Sequence, residues 1–166
     1  KSIIHALNLK TMEYAQATRP RPAIGKAKMI DDMGLRMKSI VGGEDRENKF
    51  LREYYAGLIA YGANRVPEIA DDLYSIDDAM TAGYAWEIGP FQYWDAVGIQ
   101  AGIEAAEAEG QTVAQWVKDM LAAGHSSFYK REGGQLKYYD IAQKAYVVKP
   151  GTESFIILDN YRDQAP

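Results

Sequence analysis

The sequence contains no cysteine, which excludes a disulfide framework and any metal site or nucleophile that depends on a thiolate. No run of apolar residues is long enough to span a bilayer. A further absence is local, because no Lys or Arg occurs from Val66 to Val117, where ten carboxylates lie. The net charge of −4 gives no reason to expect a nucleic-acid partner. A reducing compartment is compatible with these features, and we expect the cytoplasm.

The length of 166 residues, 47% of them hydrophobic, suits one domain with a substantial core. The chain begins with Lys1 and not with Met, and the residues that follow lack the length and flanks of a secretory signal. We therefore expect a fragment of a longer protein.

Basic residues are concentrated in the first third, where Lys1 to Arg52 contains eleven of the nineteen. A phosphate-bearing ligand that binds this chain would therefore favour the group Arg19, Arg21, Lys26 and Lys28. A solvated charged face explains the same residues and is the interpretation we favour, because charge runs usually serve solubility.

Helical spacing dominates residues 23–124. The clearest helix has apolar residues from Leu51 to Gly62 at intervals of three and four. Its other side carries small residues from Ala56 to Ala63, which should let another backbone approach closely there too. Pro67 should bend or restart this helix, and Asn64 and Arg65 can supply hydrogen bonds at the bend. An earlier stripe from Ile24 to Val41 predicts another helix, divided at Gly34 and followed by a charged loop over residues 42–49.

Residues 83–98 are rich in glycine and aromatic residues and join two helical patterns. We call this stretch the elbow. Ser75 and Asp78 form a capping-box pattern that begins the first helix, which Gly83 should close in a left-handed conformation. Pro90 can open the second helix and Gly98 can close it. The aromatic side chains should be buried and Asp95 should cap a nearby backbone; the aromatics are Trp86, Phe91, Tyr93 and Trp94.

The rest of the chain predicts two more helices and a small sheet. Residues 99–109 read as a surface helix, and the capping box from Thr112 to Gln115 begins a helix that ends at Gly124. Alternating segments around Gly133 and Gly134 predict a β-hairpin that packs on the helices or on a domain lost from the fragment, and residues 146–148 can add a third strand. The expected organisation is a covering segment 1–22, a helical domain 23–124, a hairpin extension 125–149 and a linker or tail 150–166.

The elbow and the helix before it resemble the C-terminal domain of the 3-hydroxyacyl-CoA dehydrogenase family. That family has Asp-x-Ala-Met, a Gly, an aromatic residue and then Gly-Pro-Phe-x-x-x-Asp-x-x-Gly. The matching residues here are Asp77, Ala79, Met80, Gly83, Trp86, Gly89, Pro90, Phe91, Asp95 and Gly98. The resemblance covers roughly Phe50 to Gly124 and is specific, because so many glycines and aromatics at fixed offsets rarely recur by chance.

The resemblance implies a mainly α fold like the C-terminal domain of 6-phosphogluconate dehydrogenase, with a small C-terminal β-hairpin added. It also implies a multifunctional parent enzyme of lipid metabolism, of the long fused bacterial type, in which this chain is the second of two helical copies. The parent would bind NAD and an acyl-CoA, while the fragment itself would hold no cofactor. The implied partners are a nucleotide-binding domain, the first helical copy, a following crotonase-type domain and a possible homodimer mate.

No catalytic residue is assigned to this chain. The family's His and Glu dyad belongs to the preceding nucleotide-binding domain, so neither His5 nor His125 inherits that role. The family's substrate-contacting Asn would fall near Asn48, whose neighbouring pattern is absent. The carboxylates could suggest Mg²⁺ or Ca²⁺, but they lack the spacing of a calcium loop, and caps or solvated faces explain them better; they are Asp71, Asp72, Asp77 and Asp78. A non-catalytic helical interaction or dimerisation module is the alternative function.

Overall fold

The computed structural model describes residues 3–18, 23–152 and Leu158. The helices are a 3-10 helix Ala23–Met29 followed by α1 Met33–Gly42, α2 Arg46–Arg65, α3 Leu73–Tyr84, α4 Pro90–Val97, α5 Ile99–Ala108 and α6 Gln115–Ala122. The strands are β1 His5–Asn8, β2 Glu13–Gln16, β3 Tyr129–Glu132, β4 Gln135–Asp140 and β5 Ala145–Val148. The predicted mainly α fold with a small C-terminal sheet is confirmed. Within the described residues, no helix has the length and apolar character needed to cross a membrane.

Helix α2 lies at the centre, but the face that it buries is the one with small side chains. Ala56, Ala60 and Ala63 are buried together with Ile59, and this face packs on α5. Small residues allow two helix backbones to approach closely, which is why this face suits the centre of the core. The predicted apolar stripe is only partly buried, and Tyr54 is 50% exposed.

The segment before α2 is divided differently from the prediction. The 3-10 helix ends at Met29, and α1 begins after Asp32, whose carboxylate accepts a hydrogen bond from the Leu35 N–H. A side-chain cap at Asp32, and not Gly34, therefore sets the boundary. The predicted charged loop is also shorter, because α2 already begins at Arg46.

Two predicted capping boxes are wrong. Helix α3 begins at Leu73, and Asp72 caps it by accepting a hydrogen bond from the Ser75 N–H at 2.8 Å. Helix α6 begins after Ala114, so Thr112 lies outside it. Gly83 is an ordinary helical residue, because α3 continues to Tyr84 and ends at Ala85 in the left-handed region with φ 55°.

The C-terminal sheet is antiparallel, in the order β3-β4-β5, and it packs on the helices as predicted. Gly133 and Gly134 have positive φ between β3 and β4. Phe128, Tyr138 and Tyr139 are buried in the same core as the helices. The sheet therefore contributes to one continuous core.

Strands β1 and β2 form a separate antiparallel hairpin that the sequence pattern did not reveal. Its side chains are mostly exposed, including Leu9 at the turn and Tyr14 on β2. The short strands mix apolar and polar residues on both faces, which is why neither a helical nor an alternating period was visible.

Candidate functional site

The carboxylate of Asp77 on α3 caps the N-terminus of α4. It accepts hydrogen bonds from the Phe91 N–H at 2.8 Å and the Gln92 N–H at 3.0 Å. A carboxylate at this position satisfies N–H groups that have no partner inside the helix and interacts favourably with the helix dipole. The same helix begins with Pro90, as predicted, after Gly89.

Gly89 permits this cap because its backbone lies directly against Asp77. A Cβ atom at Gly89 would overlap the Cα, Cβ and Cγ atoms of Asp77. The fixed spacing between Asp77 and Gly89-Pro90-Phe91 thus has a physical cause, namely one carboxylate that reaches a helix N-terminus past a residue without a side chain.

A second carboxylate, that of the partly buried Asp95 on α4, joins the elbow to the sheet. It accepts hydrogen bonds from the Phe128 N–H at 2.7 Å and the Tyr129 N–H at 2.8 Å. The Tyr129 hydroxyl donates in turn to Asp77 at 2.8 Å. Asp95 does cap a backbone, as predicted, although that backbone is more than thirty residues away along the chain.

Desolvation shifts the pKa values of Asp77, Asp95 and Tyr129. Desolvation raises the pKa of Asp77 to about 6 and that of Asp95 to about 7, although the hydrogen bonds to both carboxylates oppose the shift. Desolvation and the neighbouring carboxylates also raise the pKa of Tyr129. Both oxygens of each carboxylate already accept from protein donors, so the arrangement is that of a structural network.

The aromatic residues of the elbow divide into a buried group and one partly exposed residue. Phe91 and Trp94 are essentially inaccessible and Tyr93 is 5% exposed, which confirms the prediction for these three. Trp86 is only partly buried and lines a cavity of about 230 Å³ with Met33 and other residues. Gly98 ends α4 with φ 99°, and it was expected to close this helix.

Two pattern residues, Ala79 and Met80, contribute to a cleft on the surface of α3. They line an open apolar cleft of about 400 Å³ between α2 and α3, together with residues such as Leu58, Tyr61 and Ile76. Ala79 is exposed and Met80 is partly buried. Their side chains are therefore available to contact a molecule outside the chain.

A more polar groove of about 690 Å³ runs beside the elbow and the sheet. Asp95 and Tyr129 line it together with Lys130, Met33 and Ile88. The Lys130 ammonium forms an ion pair with Glu132 at 3.0 Å. This groove combines a partly buried carboxylate with apolar and basic walls. No local pattern indicated it, because its residues come from distant segments.

The predicted phosphate-contacting residues are only partly within the described chain. Lys26 and Lys28 lie on the 3-10 helix and are exposed. Arg19 and Arg21 lie outside the described residues. The apolar residues 155–157 of the tail also lie outside them.

The side chains of Asn48 and Asn64 donate hydrogen bonds to backbone carbonyls. Asn48 is 3% exposed and its amide donates to the Ile40 carbonyl at 2.5 Å. Asn64 donates to the Ala60 carbonyl at 2.9 Å and the Thr112 carbonyl at 2.6 Å, which joins α2 to the segment before α6. Both amides therefore hold chain segments together.

The two histidines have different settings. His5 lies on the exposed strand β1. The His125 ring lies 5.2 Å from the Tyr139 ring and 5.3 Å from the Tyr146 ring, centroid to centroid. A loop histidine among aromatic rings is consistent with a packing role.

The described residues do not fit a metal ion or a dinucleotide. They include no group of three or more His, Cys, Asp or Glu side chains that could hold a metal. A dinucleotide fold needs parallel strands joined by a glycine-rich turn and a helix, whereas both sheets here are antiparallel. The described part of the chain therefore offers NAD no site of this type.

Tyr129 was missed by the sequence analysis although it connects both carboxylates. The only signal was indirect: Asp77 and Asp95 are charges within apolar helical patterns and so need distant partners. Periodicity cannot identify a partner from another segment.

Comparisons with known proteins give two relatives, both provisionally named. A Bacillus subtilis protein named a 3-hydroxyacyl-CoA dehydrogenase is 36% identical over 138 residues, which are 82% of this chain and 18% of that protein. A Rickettsia felis protein named a fatty acid oxidation complex trifunctional enzyme is 25% identical over 92 residues, 55% of this chain and 11% of that protein. No family model and no solved structure matches.

The chain thus spans less than a fifth of either relative's length. The match to the Bacillus protein nevertheless extends over most of the chain. Together with the elbow pattern, whose spacing the structure explains, it shows that this chain belongs to the 3-hydroxyacyl-CoA dehydrogenase family.

Proposed function

We propose that this chain is the second C-terminal helical copy of a longer NAD-dependent 3-hydroxyacyl-CoA dehydrogenase of fatty-acid β-oxidation, located in the cytoplasm. Its role is to supply packing surface to the parent protein. The similarity to the Bacillus protein supports the family, and the small share of that protein which it matches supports a parent with further domains.

The observation that carries the packing role is the set of hydrogen bonds that Asp77 and Asp95 accept. Burial raises the pKa of Asp77 on α3 to about 6 and that of Asp95 on α4 to about 7, and a raised carboxyl pKa is a usual mark of a candidate acid or base. Yet each oxygen of both carboxylates accepts a hydrogen bond from a backbone N–H group, and Asp77 accepts a further one from the Tyr129 hydroxyl. Their chemistry is used to hold the elbow against the sheet.

The parent enzyme would oxidise a 3-hydroxyacyl-CoA to the 3-oxo form. Removal of the hydroxyl proton by a general base must accompany hydride transfer to NAD, and we assign both the base and the NAD site to a separate nucleotide-binding domain. The first helical copy would complete the enzyme. The name of the Rickettsia protein is compatible with a further crotonase-type domain in the parent.

Contact between this chain and CoA would be electrostatic and weak. Lys26 and Lys28 are exposed and belong to the basic first third of the chain, with Arg19 and Arg21 nearby in sequence. Binding through these residues would weaken as the salt concentration rises, because exposed charges are screened.

Activity assays test this proposal. Residues 1–166 alone should fold but show no turnover of acetoacetyl-CoA with NADH and no measurable NAD binding. The chain linked to the parent's nucleotide-binding domain and first helical copy should be active. Turnover by residues 1–166 alone, lost in His125→Ala but kept in His5→Ala, would contradict the assignment.

The alternative is a non-catalytic helical interaction or dimerisation module. The exposed apolar side chains favour this possibility, among them Tyr61 at 61% exposure and Ile69 at 68%. The reading frame of the gene discriminates between the two. A nucleotide-binding domain encoded upstream in the same frame supports the enzyme, and its absence supports the module.

A further inference from the structure

The hairpin of β1 and β2 displays large apolar side chains that the rest of the described chain leaves uncovered. Leu9 is 81% exposed, Met12 67% and Tyr14 73%. Among the described residues, none of the apolar side chains of this hairpin belongs to the core or packs against it. A two-stranded hairpin is marginally stable in water, and clustered exposed apolar side chains mark a surface that contacts another molecule.

The turn of the hairpin holds Leu9 and Met12 at its tip. The Asn8 carbonyl accepts a hydrogen bond from the Met12 N–H at 2.7 Å, and the Asn8 side chain accepts one from the Lys10 N–H at 2.9 Å. Met12 has φ 58°, in the left-handed region that is uncommon for a residue with a side chain. Because Met12 is exposed, no packing in the core offsets this cost, and backbone strain of this kind is concentrated at functional positions.

Charge is divided unevenly between the first thirty residues and the rest of the chain. Residues 1–30 contain six Lys or Arg side chains and one carboxylate, Glu13, whereas residues 31–166 contain thirteen basic and twenty-two acidic side chains. Lys10 lies in the turn beside Leu9, and Lys26 and Lys28 are exposed on the 3-10 helix. An anionic surface would attract the first thirty residues and repel the remainder, which turns the hairpin towards that surface.

We propose that the tip of this hairpin inserts into the headgroup layer of an anionic lipid bilayer, with Leu9 and Met12 entering the apolar boundary and Lys10, Lys26 and Lys28 facing lipid phosphates. Apolar side chains surrounded by basic ones are the combination that holds a protein on such a surface without spanning it.

Two further observations favour lipid over a pocket in another protein. Tyr14 lies on β2 two residues after Met12, and a tyrosine ring suits the boundary because one end is apolar and the other hydrogen-bonds to water. A protein pocket would account for the apolar tip, but it would not require the excess of positive charge around it. The inference goes beyond the proposed packing role and does not depend on it.

Co-sedimentation of residues 1–166 with lipid vesicles tests the inference. The chain should bind vesicles of phosphatidylcholine and phosphatidylglycerol, bind vesicles of phosphatidylcholine alone about tenfold more weakly or less, and leave the anionic vesicles as the salt concentration rises. Leu9→Ser should weaken binding about tenfold, because the leucine side chain no longer leaves water. Lys26→Gln combined with Lys28→Gln should weaken it about tenfold or more, since each basic residue near an anionic surface contributes about fivefold.

Met12→Gly separates binding from a structural role. Glycine adopts the left-handed conformation without strain, so this variant should keep the melting temperature of the wild type while it binds anionic vesicles about fivefold or more weakly. Leu35→Ser on α1, where Leu35 is 60% exposed, is the matched control for Leu9→Ser. Exposed lysines outside the first thirty residues give the control for the lysine pair, namely Lys38→Gln combined with Lys144→Gln. Both controls should bind like the wild type, and circular dichroism confirms that each variant is folded.

Each other outcome overturns the inference. A wild-type chain that fails to bind anionic vesicles, or that binds neutral ones equally well, excludes an anionic bilayer as the partner. Wild-type binding by Leu9→Ser and Met12→Gly excludes insertion of the tip, and an equal loss in the controls excludes the hairpin as the contact. Release by sodium phosphate at an ionic strength where sodium chloride has no effect would assign the lysines to a phosphate site. Binding to the parent's purified nucleotide-binding domain, lost in Leu9→Ser and without any binding to vesicles, would assign the tip to a protein.

Discussion

Replacing Gly102 by alanine tests how α4, α5 and α2 meet. Gly102 is buried in α5, and a Cβ atom there would overlap the Nε1 and Cδ1 atoms of Trp94 and lie 2.9 Å from the Ile59 Cδ1 atom. Alanine inside a helix normally stabilises by about 1 kcal/mol relative to glycine. Overpacking here should cost about 1–3 kcal/mol.

The hydrogen bond of Trp94 adds to this cost. Its indole N–H donates to the Ile99 carbonyl at 2.9 Å, and displacing the ring leaves a buried donor unsatisfied at about 1–3 kcal/mol. After the helix-propensity gain is subtracted, Gly102→Ala should lower the free energy of unfolding by about 1–5 kcal/mol.

Urea unfolding monitored by circular dichroism measures this difference. Gly57→Ala in α2 is the matched control, because a Cβ atom at Gly57 meets no atom within 4 Å; it should stabilise by about 0.5–1 kcal/mol. Trp94→Phe should relieve the overlap, so the double variant should show a coupling energy of about 0.5–3 kcal/mol. A Gly102→Ala chain that is at least as stable as wild type would refute this account of the packing.

Two further predictions concern the core and the carboxylates. Trp94→Ala should lower the free energy of unfolding by about 3–5 kcal/mol, because the side chain is fully buried, and a change within about 0.5 kcal/mol would place it outside the core. The pKa of Asp77 is raised from 3.8 to about 6 in the folded state, and that of Asp95 from 3.8 to about 7. These two groups therefore stabilise the folded state most below about pH 4, and this contribution is lost as the pH rises to about 7. The slope of unfolding free energy against pH in this window should be shallower in Asp95→Asn, and an unchanged slope would contradict the raised pKa.

Local signals in the sequence predicted those parts of the fold whose cause is local. Pro90 after Gly89 opened a helix, and the glycines at 133 and 134 formed the hairpin turn, because these residues restrict or free their own backbone. The helix over residues 99–109 also buried Ile99, Ile103 and Ala106, as its spacing predicts, and it buried Gly102 in addition.

The failures occurred where two signals competed or where a partner lay far away. Asp72 and Ser75 are both good caps, and the side chain that reaches an N–H three residues on is that of Asp72. On α2 the close approach at the small face was predicted and is confirmed, whereas the larger stripe, also expected to be buried, is only partly so. Asp77 was named from the pattern, whereas its bond to Tyr129 spans 52 residues and has no signature in local spacing.

The division at residue 124 between a helical domain and a hairpin extension remains a prediction. The contacts of Phe128 indicate how much the residues after this point contribute to the stability of the helices. The Phe128 ring centre lies 5.1 Å from those of Phe91 and Trp94 and 5.8 Å from that of Trp116. Phe128 itself is fully buried. A buried phenyl group contributes about 3–5 kcal/mol, which is a large share of the stability of an average domain.

A chain that ends at Gly124 should therefore fail to unfold cooperatively. It loses Phe128 and both N–H donors to Asp95, while Asp77 loses the Tyr129 hydroxyl and keeps only the N–H groups of Phe91 and Gln92. A chain that ends at Thr152 keeps the whole sheet and should retain a single sharp urea transition. Near-ultraviolet circular dichroism should show fixed aromatic packing in the longer chain only. Wild-type cooperativity in the chain ending at Gly124 would instead mean that the helices form a core without the sheet, and that the carboxylate bonds to β3 contribute little to the fold.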